Sequence, residues 1–237
     1  MINRIQIEFQ SEGGLRLPLP YSYGLMSFVY RLLSSDADLS GELHASRGPR
    51  LYCYSGLSGE TKLVDKTIMF RDGKASLEVR SQRPEVIAAI LNSLTRQSVF
   101  MILGRKLNVA RVIADGTVVT AKSLRIITMS PICVYETIPG GKTVYYSPSD
   151  DKFATLITRN FLRKYQALYN KAYDGDFSIE LVSKNSIRKV VTKLKDTWVT
   201  AYHAELIIEA RPEALQLLFT TGLGTKNSSG FGLFDIV

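Results

Sequence analysis

Four glycines, two serines, an asparagine and a lysine crowd into eleven residues near the end of the sequence, Gly222-Leu223-Gly224-Thr225-Lys226-Asn227-Ser228-Ser229-Gly230-Phe231-Gly232. Glycine accepts positive φ and lets a backbone approach a partner closely, so a loop of this composition can turn several N–H groups toward one phosphate. Gly222, Gly224, Lys226, Asn227, Ser228, Gly230 and Gly232 are therefore candidate anion contacts. A nucleotide-hydrolysing P-loop requires Gly-x-x-x-x-Gly-Lys-Ser/Thr between a strand and the helix after it. Here Asn227 follows the lysine, in a loop that leaves a helix-like run (214–219) for a strand-like one (231–237), so that reading fails on order. Residues 229–236 partly resemble the aromatic strand of an RNA-recognition motif, but that strand precedes a further helix and strand, and Val237 alone follows here.

A second basic group, Arg188, Lys189, Lys193 and Lys195, falls on a predicted hairpin whose alternation puts Lys189, Lys193 and Lys195 on one face. Lysines so placed either blunt a sheet edge or hold phosphates. The overall charge favours phosphates. Thirty Lys/Arg against twenty-two Asp/Glu give a net charge of +8, and residues 1–120 and 121–237 each carry 15 basic and 11 acidic side chains. Both halves are thus expected to face a polyanion, nucleic acid before membrane, since no basic helix has a strong apolar face. The two histidines and two cysteines are isolated from one another, which leaves no ligand set for zinc and no expected cofactor. Cys53 and Cys133 read as free thiols, the N-terminus lacks the apolar core of a signal peptide, and no run approaches the roughly 20 apolar residues of a membrane span. A cytoplasmic location follows as an expectation.

The elements that must position these groups are legible in the periodicity. Residues 2–9 alternate as a half-buried strand, Pro18 and Pro20 bar a central strand after it, and residues 21–34 place Leu25, Phe28, Val29, Leu32 and Leu33 at helical spacing. A short element around Leu43 precedes a strand at 51–57, Asp72-Gly73 predicts a hairpin within 68–80, Pro84 opens a second helix, and strands at 99–103 and 109–113 follow. This order is the ferredoxin-like βαββαβ unit.

The second half repeats it with a strand at 124–135, a long helix at 150–173, a strand at 177–182 and a strand pair at 187–194 and 198–208. Arg211-Pro212-Glu213-Ala214-Leu215 then echoes Arg83-Pro84-Glu85-Val86-Ile87, 128 residues earlier. Solenoid periods are ~20–50 residues, so a repeat of this length marks a duplicated domain. The expected fold is α+β: two tandem ferredoxin-like domains, residues 1–118 and 119–237, with their sheets facing across a cleft.

Leu17-Pro18-Leu19-Pro20-Tyr21-Ser22-Tyr23, Tyr30, Leu43-His44, Arg50-Leu51-Tyr52-Cys53-Tyr54-Ser55-Gly56-Leu57 and the glycine-rich run occur in an order that spans nearly the whole chain. This succession resembles the CRISPR-associated endoribonucleases of the RAMP superfamily, which cut repeat RNA into guide RNAs. The resemblance implies metal-independent cleavage, in which a ribose 2′-OH attacks the adjacent phosphorus and leaves a 2′,3′-cyclic phosphate. That reaction calls for proton transfer and for positive charge near the phosphorane.

By the same resemblance His44 stands at the family's histidine and Tyr30 at the tyrosine ending its first helix, where a hydroxyl can orient the 2′-OH or a phosphate oxygen. Arg50 stands where lysine is usual. Arginine can clamp a phosphate with two N–H groups, but it is too weak an acid to donate a proton, which leaves that step to His44, Tyr30 or water. Arg47 is a neighbouring cation suited to phosphate. His203, in mid-strand, reads as structural. The implied partner is CRISPR repeat RNA or its precursor transcript, with a CRISPR effector complex and a homodimer left open as assemblies. The alternative is a catalytically silent RNA-binding subunit of such a complex; a generic single-strand binder would instead present aromatic stacking platforms on its sheet.

Overall fold

A computed structural model describes every residue of the 237-residue chain except Arg47. The first half runs β1 (Arg4–Gln10), β2 (Leu15–Pro18), α1 (Ser22–Leu33), α2 (Ala37–Ala45), β3 (Tyr52–Tyr54), β4 (Thr61–Val64), β5 (Thr67–Phe70), β6 (Lys74–Ser81), α3 (Pro84–Arg96), β7 (Val99–Ile102) and β8 (Arg105–Asp115). In β1 the residues Ile5, Ile7 and Phe9 are buried while their neighbours are half-buried, the period-2 signature of a strand with one face on a core. Helices α1 and α3 cover that face with Leu25, Phe28, Val29, Leu32, Val86, Ile87 and Ile90. Each fully buried apolar side chain of this kind contributes ~1.5–3 kcal/mol. The sheet order is β3-β6-β1-β8-β7, antiparallel throughout.

The second half runs β9 (Ser123–Thr128), β10 (Tyr135–Thr137), β11 (Thr143–Tyr145), α4 (Lys152–Tyr169), β12 (Ser178–Leu181), β13 (Arg188–Leu194), β14 (Thr197–His203), β15 (Glu205–Glu209), α5 (Pro212–Thr221) and β16 (Phe234–Ile236). Its sheet order is β12-β15-β9-β16. Counting the four sheet strands of each half in chain order, both sheets read second, third, first, fourth, so the two halves share one topology. In the first half β7 adds an extra edge through the tight Leu103-Gly104 turn, where both residues have positive φ.

The expected elements are present with three corrections. Asp72-Gly73 does not close a hairpin: β5 pairs with β2 and β4, whereas β6 pairs with β1 and β3. The turn instead docks on the loop after β1, where Ser11 N–H donates to the Gly73 carbonyl at 2.9 Å. A Cβ on Gly73 would come within 2.3 Å of the Ser11 carbonyl oxygen, so glycine permits this contact. The continuous strand expected over 198–208 divides between two ladders. Its first part pairs with β13 as a separate ribbon and its second part joins the sheet, the crossing being held where Ala204 N–H donates to Thr128 Oγ1 at 3.2 Å. The strand expected at 124–135 stops at Thr128, ahead of Pro131; pairing resumes as isolated bridges at Ile132 and Cys133 and as a strand at Tyr135.

The halves are pinned together by Arg80 of β6. Its guanidinium is fully buried, bonded to Glu78 Oε1 at 2.5 Å, donating to the Phe234 carbonyl at 2.7 Å, and lying 3.9 Å from the centre of the Phe219 ring. Leu51, just ahead of β3, packs into the core of the second half. The ribbon β13–β14 reaches back the other way, with Thr192 Oγ1 2.9 Å from Ser22 Oγ at the start of α1.

Candidate active site and RNA surface

Tyr30, His44 and Arg50 come from three separate segments and meet. Tyr30 lies in the third turn of α1, half-buried and off the apolar stripe. Asp36 caps α2 by accepting from the Leu39 N–H at 2.9 Å. That nine-residue helix carries His44 in its last turn, where only a short element around Leu43 was expected. The Tyr30 and His44 rings stack, with centroids 5.3 Å apart and planes at 20°. Arg50 donates from Nε to the Leu43 carbonyl at 2.8 Å, and its Cζ is 6.0 Å from the centre of the Tyr30 ring.

The chain can place Arg50 in this way because Leu51 turns it through φ +55°, a left-handed conformation that costs a branched residue of order 1–3 kcal/mol. The Leu51 carbonyl accepts from Ser81 Oγ at 2.9 Å and from the Gln82 N–H at 3.1 Å, and these bonds hold the turn. Arg50 Nη1 also donates to Ser228 Oγ of the glycine-rich loop at 3.2 Å. Two of its five N–H donors are thereby used, and the others remain for an anion. Immediately beneath lies Tyr52, buried, its hydroxyl near Tyr30 and Ser228 but in no hydrogen bond of ordinary geometry. Burial above all, then the neighbouring Tyr30, pushes its acidity far below that of a free phenol, so it stays protonated.

The glycine-rich loop is built differently from a simple phosphate cradle. Gly222, Gly224, Gly230, Gly232 and Lys226 all have positive φ. Leu223 N–H donates to the Gly232 carbonyl at 2.8 Å, Thr225 N–H to Cys133, also at 2.8 Å, and Gly232 N–H to Pro131 at 3.0 Å. Asn227 braces the loop from inside, its Nδ2 donating to the Leu223 and Phe231 carbonyls, both at 2.9 Å. A Cβ on Gly224 would lie 2.6 Å from the Cys133 carbonyl oxygen, and one on Gly230 2.8 Å from the Tyr54 ring. Gly222, Gly224, Asn227 and Gly232, expected among the RNA contacts, are buried. They shape the loop; Lys226, Ser228 and Gly230 are its half-buried, presentable part.

On the ribbon, Arg188 and Lys189 are exposed and Lys193 is half-buried, while Lys195 sits in the turn at φ +53° and not on the strand face. Across from Lys193 stands Trp198, 60% exposed. The RNA contact expected of Arg47 lies outside the described residues. His203 has the partners of a structural residue, with Nδ1 3.0 Å from Thr128 Oγ1. Burial, then the nearby Arg188, lowers its affinity for a proton. Cys53 and Cys133 are free and buried, and burial pushes their thiols up to about 12 and about 11. Among the described residues no group of three or more His, Cys, Asp and Glu gathers as a metal site.

Two recesses flank the loop. An apolar one of about 460 Å³ lies among Tyr21, Tyr54, Trp198 and Phe231, and a basic one of about 360 Å³ lies beside Arg50. Lys164 lies buried at the basic recess, donating to the Thr221 and Gly222 carbonyls at 3.2 and 2.7 Å, and burial brings its ammonium down to about 7. The sequence reading missed Tyr52, Arg163 and Lys164. Tyr52 belongs to an aromatic strand that periodicity assigns to core, and α4 conceals which of its cations turn inward.

A duplicated ferredoxin-like fold with an imidazole, a phenol and a guanidinium converging at a basic inter-half surface defines an RNA-handling protein with the groups for acid–base chemistry. Family models for the N-terminal region of the CRISPR-associated protein Cas6 and for its C-terminal region match residues 16–113 and 115–236, and the chain belongs to the Cas6 family. The chain is similar to CRISPR-associated endoribonuclease Cas6 1 of Methanocaldococcus jannaschii, at 27% identity over 97% of this chain and 91% of the relative. It is similar also to CRISPR-associated endoribonuclease Cas6 of Pyrococcus furiosus, at 24% identity over 95% and 85%. Among solved structures, a Cas6-related protein from Pyrococcus furiosus superposes with a TM-score of 0.88 at 21% identity, covering 100% of this chain and 99% of that one.

Proposed function

We propose that this protein binds CRISPR repeat RNA and cleaves the precursor transcript within its repeats, without a metal ion. The ribose 2′-OH attacks the adjoining phosphorus, the 5′-oxygen leaves, and a 2′,3′-cyclic phosphate remains. The observation that carries this reading is the stack of Tyr30 on His44 with Arg50 held beside Tyr30 by the Leu43 carbonyl and Ser228. His44 transfers the proton, Arg50 faces the charge that gathers on the phosphorane, and Tyr30 orients the 2′-OH or a phosphate oxygen. Lys226, Ser228 and Gly230 of the loop and Arg188, Lys189, Lys193 and Lys195 of the ribbon hold the RNA backbone, together with Arg47. Residues 1–118 form the unit bearing the catalytic groups and residues 119–237 the unit bearing the loop. No helix among the described residues is long and apolar enough to cross a membrane, and the proposed place of action is the cytoplasm, where transcripts are made.

Two measurements decide the reading. Cleavage in excess chelator yields a 2′,3′-cyclic end, and a single 2′-deoxy substitution at the scissile nucleotide stops cleavage while sparing binding. Unchanged cleavage of the deoxy substrate overturns the mechanism, and tight binding without any cleavage by the parent protein assigns it to a silent RNA-binding role instead.

A further inference from the structure

The recess beside Arg50 has a composition that the cleavage chemistry does not use. Its walls come from residues 48–52 of the first half, from Asn160, Arg163 and Lys164 of α4, and from residues 225–229 of the loop. Three cations line it, Arg50, Arg163 and Lys226, together with the buried Lys164 and the hydroxyl side chains of Thr225, Ser228 and Ser229, and among the described residues no carboxylate does. Elsewhere on the same helix the pattern is ordinary, with Lys152 bonded to Glu136 at 2.7 Å. Arg163 is exposed and has no carboxylate partner among the described residues. Lys164 spends its ammonium on the carbonyls ending α5, and Lys226 Nζ lies 5.3 Å from the centre of the Tyr135 ring. Arg163 is thus the free fork on the α4 side, facing the Arg50 wall with nothing anionic between.

We propose that this recess is a second phosphate subsite, in which Arg163, with Lys226, holds the phosphodiester adjoining the scissile one. The inference rests on the assignment of Tyr30, His44 and Arg50 as the cleavage site. Arg50 borders both places, so a strand whose scissile phosphate lies on Arg50 has its next linkage at the mouth of the recess. A guanidinium matches a phosphate with two parallel N–H bonds, and like charges gathered without a counter-charge are relieved by an anion. A hold on the neighbouring linkage fixes the register of the strand, so that one linkage and not its neighbour meets His44. The subsite therefore acts on binding and on the position of the cut, and leaves proton transfer alone.

The test is a cycle between a protein variant and a chemically neutralised linkage. Arg163→Gln should weaken repeat-RNA binding about tenfold and flatten the salt dependence of log Kd by roughly 0.7, the share of one single-strand phosphate contact. The single-turnover rate at saturating protein should stay within about twofold of the parent. Repeat RNAs carrying one methylphosphonate are then compared, the neutral linkage being moved along the strand on either side of the scissile bond. At the adjoining linkage the methylphosphonate should weaken the parent about as much as Arg163→Gln does and add nothing to the variant; at other linkages the two losses should multiply. Parent-like binding by Arg163→Gln, or losses that multiply at every linkage, overturns the subsite. Binding is read independently of cleavage, so failure of the parent to cut refutes the catalytic assignment while the cycle still decides the subsite.

Discussion

His44 and Arg50 divide the proposed chemistry between a group that exchanges a proton and a group that cannot. His44→Ala should slow single-turnover cleavage by roughly 10²–10⁴-fold, the range for one general acid–base residue, with RNA affinity nearly unchanged. Arg50→Lys should keep much of the activity and Arg50→Ala should lose a large part, since charge at the phosphorane is its contribution. An undiminished rate in His44→Ala refutes its role. Lys164 offers a test that needs no substrate. An unfolded lysine keeps its proton to about pH 10.4, whereas burial brings Lys164 to about 7. Between these values the unfolded chain binds more protons, so this residue makes stability rise with pH across that window and level off below it. The stability of the parent relative to Lys164→Met, measured by urea titration, should therefore increase from pH 7 to pH 9; a flat difference means the ammonium is not desolvated.

At the scale of the element, the glycine-rich loop separates shape from charge. Gly224→Val places a Cβ on the Cys133 carbonyl and a branched side chain at φ +67°, so it should lower both the melting temperature and RNA affinity. Lys226→Ala should weaken binding with the melting temperature unchanged. Calorimetry and filter binding on the two variants separate these outcomes, and a Gly224→Val protein that melts and binds like the parent would show that the loop tolerates another path. The helices were legible because a 3.6-residue stripe is local: Leu25, Phe28, Val29 and Leu32 declare α1 without knowledge of anything else. The sheets were less so. Asp72-Gly73 carries a hairpin signal, yet the choice between closing a hairpin and docking on Ser11 is made by residues sixty positions away. Likewise the division of 198–208 depends on Thr128, which no pattern within that segment reveals. The trio proposed for catalysis had no local signature at all. Tyr30, His44 and Arg50 were joined by family resemblance, and Tyr52 escaped notice because a buried hydroxyl and a core phenol look the same in sequence.

For the molecule as a whole, the question is what keeps two similar halves in one relation. Arg80 and Glu78 form a buried pair whose guanidinium also reaches the second half, so Arg80→Ala should cost about 3 kcal/mol, the low end for a broken buried pair because Arg4 Nε remains 3.9 Å from the same carboxylate. Glu78→Gln combined with Arg80→Met should recover a substantial part of that loss in urea titrations. If the single variant is as stable as the parent, the relation of the halves does not depend on this pair. With Arg50 in its proposed role, its bond to Ser228 carries this dependence into the rate itself. A partial opening of the halves, short of unfolding either, would separate that guanidinium from its loop and withdraw Leu51 from the second core while leaving both sheets paired, and such openings require less free energy than global melting. Heating should therefore switch the enzyme off reversibly below its calorimetric transition, and cooling should restore full turnover at once, because neither sheet has come apart.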